Sequence, residues 1–349
     1  MRRRAAASGD NHHVFTDVDW DRELSRLGGH VLQTWNWGKF KSRHGWEVER
    51  VSTGGANPTA MAQILFRRRG PFRLGYIPRG PAFEAGNVDA VRALFAQIDL
   101  VCGQRRTVYL IVETDRQLPF HGTFRGEGFV KGPEHFQPQR TVKVPLLPDT
   151  ELLGQMHQKT RYSVRLAERR GVEIRREETT PEAAARFYRL LEETSSRNEF
   201  GIHSEAYYRD FLACFGDRAI MLFAYVESEP AAALIAARFG DEAIYMYGGS
   251  STTHRAHGAA FALQFEAMKW ARDNGSRVYD LWGIPSEDPK TESNDEGRVS
   301  GTKGDDWRGL YKFKVGFGGE IISYSPTLER RYRPLISFGV RRLYANRGS

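Results

Sequence analysis

The sequence predicts an α+β protein of two similar units in tandem, each a mixed sheet flanked by helices. Two observations carry that expectation. An order of strand, strand, strand, helix, strand appears twice along the 349 residues. The copies are offset by roughly 170 residues, as an internal duplication would leave them. Between them lies a stretch of helical periodicity, and nothing shows the sustained heptads of a coiled-coil arm.

In the first copy Trp46 to Val51, Ala60 to Phe66 and Arg73 to Pro78 are short β-favouring runs, separated by Gly, Pro and Asn turns. A helical pattern runs from about Val88 to Cys102, followed by a strand at Thr107 to Val112. In the second copy the strands are Ala219 to Val226, Ala231 to Phe239 and Ala243 to Gly249. A helix from about His257 to Asn274 follows, stopped by Gly275 in the usual glycine position, and then a strand at Val278 to Leu281.

The stretch between the copies reads as one helix from Glu151 to Arg170, with Leu153, Met156, Thr160, Val164 and Ala167 on one face and Gly171 as its stop. Thr180-Pro181, an N-cap followed by proline, opens another helix to about Ser195, with Ala184, Phe187, Tyr188 and Leu191 facing inward. The polar segment 285–306 reads as a mobile insert, with a lid as the second reading. Arg330 to Arg347 reads as a basic, partly amphipathic helix that packs back onto the first unit; contact with a membrane or tRNA is the lesser alternative.

Composition narrows the class. Apolar residues make up 40% and charged residues 27%, a globular profile. No run approaches the roughly 18–20 apolar residues of a membrane span. Met1 to His13 has three arginines and no apolar core, so it reads as a tail and not as a signal peptide. Cys102 and Cys214 read as buried thiols in a reducing compartment, and no Cys/His spacing suggests a metal. The net charge of +8 suits an anionic partner such as RNA, a nucleotide diphosphate or an acidic membrane face, without choosing among them.

The repeated order matches an acetyltransferase-like (GNAT) unit, so a duplicated GNAT-like fold is expected. Five segments then carry a closer likeness: Leu32-Gln33-Thr34-Trp35-Asn36-Trp37-Gly38-Lys39-Phe40-Lys41, Tyr76 to Pro81, Lys159-Thr160-Arg161 with Arg165, Tyr245 to Ser251, and Gly309 to Gly319. In that order they resemble the FemABX family of aminoacyl ligases. The resemblance implies two GNAT-like domains, 1–145 completed by 320–349, and 146–319 containing the insert, with no coiled-coil arm. It also implies transfer of an amino acid from aminoacyl-tRNA, as co-substrate and without a cofactor, to the peptide amine of UDP-MurNAc-pentapeptide or lipid II in cell-wall synthesis. The expected location is the cytoplasm, including peripheral contact with the inner face of the membrane.

Residue by residue, the resemblance makes Lys314 the catalytic group. A charged role near the developing oxyanion is favoured over a general base, which would need a pKa about three units below the usual value near 10.4. From the residues alone, Lys314 also reads as a surface lysine on a strand. Phe313 matches an aromatic near the terminal adenosine of the RNA, and a core phenylalanine is an equal reading. Lys39 matches a phosphate-binding lysine, and Tyr207 and Tyr247 match tyrosines that bind phosphate or peptide. His203 stands where the family places an arginine, which weakens diphosphate binding there or moves it to Arg161 or Arg197. Arg165, Arg169, Arg170, Arg175 and Arg176 offer a basic surface for tRNA, with Glu168, Glu173, Glu177 and Glu178 close by.

Two other classes remain open. Arg255 to Ala260 fits the GNAT pattern Arg-x-x-Gly-x-Gly/Ala, where a helix N-terminus can bind the pyrophosphate of acyl-CoA, so a CoA-dependent N-acyltransferase is the main alternative. A non-catalytic RNA-binding protein of the same fold is the other. A serine or cysteine hydrolase is disfavoured, since no Gly-x-Ser-x-Gly elbow occurs and neither cysteine has a histidine in a telling context.

Overall fold

A computed structural model describes residues 15–116, 127–133, 136–198, 200–288 and 308–333. The N-terminal tail at 1–13, most of the expected insert and the chain beyond residue 333 lie outside the described residues. The chain divides into two compact units, Met1–Gly132 with Leu328–Ser349, and Pro133–Thr327.

The first unit opens with α1 (Asp17–Arg26) and α2 (Trp35–Arg43). The hydroxyls of Thr16 and Thr34 cap them, accepting the N–H groups of Asp19 and Trp37. Then come β1 (Glu47–Thr53), β2 (Ala60–Arg69), β3 (Phe72–Pro78), the short β4 (Ala82–Phe83), α3 (Val88–Gln104), β5 (Thr107–Glu113) and β6 (Phe129–Lys131). Asn87 caps α3 by accepting the Ala90 N–H at 3.0 Å. That helix buries Ala90, Val91, Leu94, Phe95, Ile98 and Cys102, one face at helical spacing. They form a core with Ala62, Ile64 and Phe66 of β2 and Leu110 and Val112 of β5.

The second unit contains β7 (Arg140–Pro145), α4 (Asp149–Gln155), α5 (Gln158–Arg169), β8 (Glu173–Arg176), α6 (Pro181–Asn198) and α7 (Glu205–Phe215). It continues with β9 (Ala219–Val226), β10 (Glu229–Phe239), β11 (Glu242–Ser250), α8 (Ala259–Asp273), β12 (Val278–Ile284), α9 (Arg308–Val315) and β13 (Glu320–Ser323). The chain then returns to the first unit as β14 (Leu328–Arg331). All eight residues of β9 are buried, as expected of a strand covered on both faces.

Among the described residues each unit holds one mixed sheet. The first is ordered β1-β2-β3-β5-β14-β6, with β4 added to β2, and the second β13-β7-β12-β11-β10-β9-β8. In both, the third strand of the repeat runs parallel to the strand after the helix, β3 with β5 and β11 with β12. The sequence reading put the boundary at 145/146 and the return at 320. The structure instead assigns β7 and β13 to the second sheet, because β7 pairs with β12 on one side and β13 on the other.

The expected single helix from Glu151 to Arg170 is two helices. Met156 is extended, with ψ 147°, and breaks the run. The Arg161 guanidinium fills the break, donating to the carbonyls of Leu153, Gly154 and Met156 at 3.1–3.3 Å. It satisfies the bare C-terminal end of α4. The helix opened by Thr180 is present, with the Thr180 hydroxyl accepting the Ala183 N–H.

Candidate functional site

The two parallel strand pairs differ in length. In the first unit, β3 and β5 stay paired to Pro78 and Glu113, and the Gly80 N–H extends the contact to the Glu113 carbonyl. In the second unit, β11 and β12 pair only from Glu242 and Val278 to Ile244 and Asp280. Beyond that point the strands part. A bulge bends each of them there. On β11 the extra residue is Met246, between the paired Tyr245 and Tyr247. On β12 the pairing with β7 skips from Asp280 to Gly283. Within that skip Trp282 has φ +60°, costly for a bulky side chain.

The Asp280 carboxylate holds the second bulge. It accepts the Trp282 N–H at 2.7 Å and the Thr141 hydroxyl, with the Tyr324 hydroxyl at 3.5 Å. The bulge aims the Gly283 carbonyl at Lys314, whose Nζ donates to it at 2.8 Å. The same Nζ lies 5.6 Å from the centre of the Tyr245 ring on β11. Lys314 therefore bridges the gap between the diverging strands.

Two expectations about Lys314 are corrected here. It sits on the helix α9, not on a strand, and it is 5% exposed, not a surface lysine. Burial lowers its pKa to about 7, with the Asp280 charge opposing that shift. The argument against a general base assumed a wet cleft, whereas the Lys314 side chain is buried.

The glycine-rich turn after Lys314 is equally packed. The Gly316 carbonyl accepts the His157 N–H at 2.9 Å, and Phe317 is fully buried. Gly318 has φ +82°, and a Cβ there would run into the Gln155 carbonyl at the end of α4. Only glycine suits that backbone and that approach. Replacing Gly318 with Ala should destabilise the protein by about 3 kcal/mol, from left-handed strain plus overlap. Thermal unfolding checks this; an unchanged midpoint would mean that the turn yields.

The other expected site residues fall in separate groups. Phe313 packs edge-on against Phe261 and Phe317, with centroids at 4.9 and 5.4 Å, so it joins the core beneath the site. Tyr207, on the buried face of α7, meets Tyr247 of β11 edge-on at 6.3 Å. Burial pushes the Tyr207 phenol up to about 12 and the Tyr247 phenol well above its ordinary value, so both stay neutral hydrogen-bonding groups. His203 is exposed and stacks on Tyr207 at 3.8 Å. Lys39 is exposed on α2 in the first unit. Its neighbour Lys41 lies 5.4–5.7 Å from the rings of Trp37, Phe40 and Trp46. Burial first, and then the Arg67 charge, lower the Lys41 pKa to about 8.

Neither arginine named as a stand-in for the missing one at 203 is spare. Arg161 caps α4, and Arg197 donates to the Ser250 carbonyl and the Thr252 hydroxyl at 3.2 and 2.8 Å. Asp280, Tyr245 and the Gly283 carbonyl were not identified from the sequence. Asp280 had a readable signal, a carboxylate inside the apolar run Val278-Tyr279-Asp280-Leu281-Trp282.

At the alternative CoA motif, Gly258 has φ +75° and caps α8. A Cβ there would meet the Ser163 carbonyl of α5, and Arg170 donates to the Ala256 carbonyl at 2.6 Å. The glycine is thus required by the seating of α5 on this turn, whether or not a pyrophosphate binds.

Two mixed sheets flanked by helices, the second opened between its parallel strands around a buried lysine, define a protein of duplicated GNAT-like fold. A sequence profile described as the FemAB family matches residues 20–118, 123–231 and 227–336, and the chain belongs to that family. It is 23% identical to a lipid II:glycine glycyltransferase of Staphylococcus epidermidis over 361 aligned positions, covering 80% of this chain and 86% of that one. The corresponding Staphylococcus aureus protein is also 23% identical, with 78% and 84% covered. Among solved structures, FemX superposes with a TM-score of 0.80 at 19% identity, covering 93% of this chain and 98% of that one. A tandem GNAT protein from the clavulanic acid biosynthesis pathway gives 0.52 at 12% identity, with 90% and 95% covered.

Proposed function

We propose that this protein is an aminoacyltransferase that moves an amino acid from aminoacyl-tRNA to the peptide amine of a peptidoglycan precursor, lipid II or UDP-MurNAc-pentapeptide. The observation that carries the reading is the buried, near-neutral Lys314 in the strand gap, in a chain whose relatives are named lipid II:glycine glycyltransferases. The acceptor nitrogen attacks the ester carbonyl carbon, a C–N bond forms and the C–O bond to the terminal ribose breaks. One proton leaves the attacking nitrogen and one reaches the departing ribose oxygen. A lysine with a pKa of about 7 can accept the first and supply the second. Tyr207 and Tyr247 donate hydrogen bonds to the acceptor.

The test is a transfer assay with purified protein, tRNA charged with labelled amino acids, and both precursors in parallel. Label should pass to one precursor and be lost on RNase treatment; no transfer to either would overturn the reading. Acetyl-CoA should leave thermal unfolding unchanged, because the proposed donor is a tRNA ester and the seating of α5 accounts for Gly258 without a pyrophosphate. A saturable rise in the midpoint would favour the CoA-dependent alternative instead.

A further inference from the structure

The basic cluster expected from the sequence separates into engaged and exposed parts. Arg170 is held by the Ala256 carbonyl, and Arg175 by Glu173 and the face of Tyr225. On α5 the arrangement differs. Thr160, Val164 and Ala167 are its buried residues. Lys159, Tyr162, Arg165 and Arg169 are exposed on the opposite side, within an arc of about 120° at 100° per residue. None of the three cations forms an ion pair among the described residues, and Glu168 flanks the arc without entering it. Tyr162 is 56% exposed, and the Arg169 guanidinium lies 5.4 Å from its ring.

We propose that this face of α5 is where the phosphodiester backbone of the donor tRNA lies. The inference rests on the tRNA-donor reading above and names the surface that reading requires. Three cations over eleven residues span about 15 Å, enough to meet successive phosphates of one strand. An exposed aromatic among them offers a stacking face for an unpaired base. The stripe also starts beside the site. The His157 N–H, one residue before α5, binds the Gly316 carbonyl, two residues past Lys314. A strand laid along α5 therefore leads to the catalytic lysine.

The test measures binding of fluorescein-labelled deacylated tRNA by anisotropy between about 50 and 300 mM NaCl, where each phosphate contact contributes roughly 0.7–0.9 to the log–log salt slope. The variant K159Q/R165Q/R169Q should bind at least about 10-fold more weakly at the lower salts, with a slope shallower by about 2. Tyr162→Ala should weaken binding severalfold without changing the slope, since stacking is not ionic. R22Q/R92Q/R277Q removes the same net charge from exposed sites elsewhere and should change neither quantity by more than about twofold. Each single substitution along α5 should lower the slope by about 0.7, so the result does not depend on the triple variant folding. If the wild type binds tRNA and the α5 variants keep its slope, the surface is wrong and the function stands. If the wild type does not bind tRNA, both fall.

Discussion

Replacing Lys314 with Ala should lower amino-acid transfer by about 10³-fold while leaving the protein folded, the magnitude expected when a positioned acid–base group is removed. The geometry also separates two roles that a single alanine variant would confuse. If Lys314 acted only as fixed positive charge, Lys314→Arg would keep most of the activity, because arginine stays protonated at every working pH. With the pKa lowered to about 7 by burial, the side chain is poised to take and return a proton, which arginine cannot do. Lys314→Arg should therefore be nearly as inactive as Lys314→Ala. Small primary amines should restore part of the alanine variant's rate, by filling the space beside the Gly283 carbonyl. Single-turnover transfer with each variant decides the matter. An arginine variant within about tenfold of wild type would return Lys314 to a purely electrostatic role.

The fold could be read from the sequence wherever a pattern repeats. β1 to β3, α3, β5, β9 to β12 and α8 fall within a few residues of the periodic runs, since alternation and helical spacing are local properties. The missed features depend on contacts between distant residues. The break at Met156 is stabilised by Arg161, whose helical neighbours give no hint that its guanidinium turns back onto α4. The boundary at 132/133 follows from β7 joining β12 and β13, strands more than 130 positions further along. Lys314 was singled out by resemblance, but its burial was not legible. A lysine after a phenylalanine and before glycines reads as exposed and flexible. Only packing shows that α9 turns it inward, and only the bulge at Trp282 shows what carbonyl receives it. Tyr207 and Tyr247 were marked together by resemblance, but only the packing of α7 shows the first ring against the second.

Holding Lys314 in a dry gap should destabilise the fold, and the pH dependence of that effect is fixed in sign. The unfolded chain binds the lysine proton up to its ordinary pKa of 10.5, while the folded protein releases it from about pH 7 upward. Between those values the unfolded state holds more protons, so stability rises with pH. The penalty is complete below about pH 7 and gone above 10.5. A shift of this size corresponds to at most about 4–5 kcal/mol. Losing the bond to Gly283 and the attraction of Asp280 offsets part of the gain when the charge is removed. Lys314→Met should therefore be more stable than wild type by about 2 kcal/mol at pH 6, with the difference shrinking toward pH 10. Denaturant unfolding at several pH values measures it directly. A difference that stays constant with pH would mean that Lys314 titrates normally, and the proton-transfer role would fall with it. If the difference follows the predicted slope, the variant that has lost transfer is also the more stable one, and its inactivity cannot be ascribed to unfolding. That combination is expected where a group is kept for chemistry at the expense of stability.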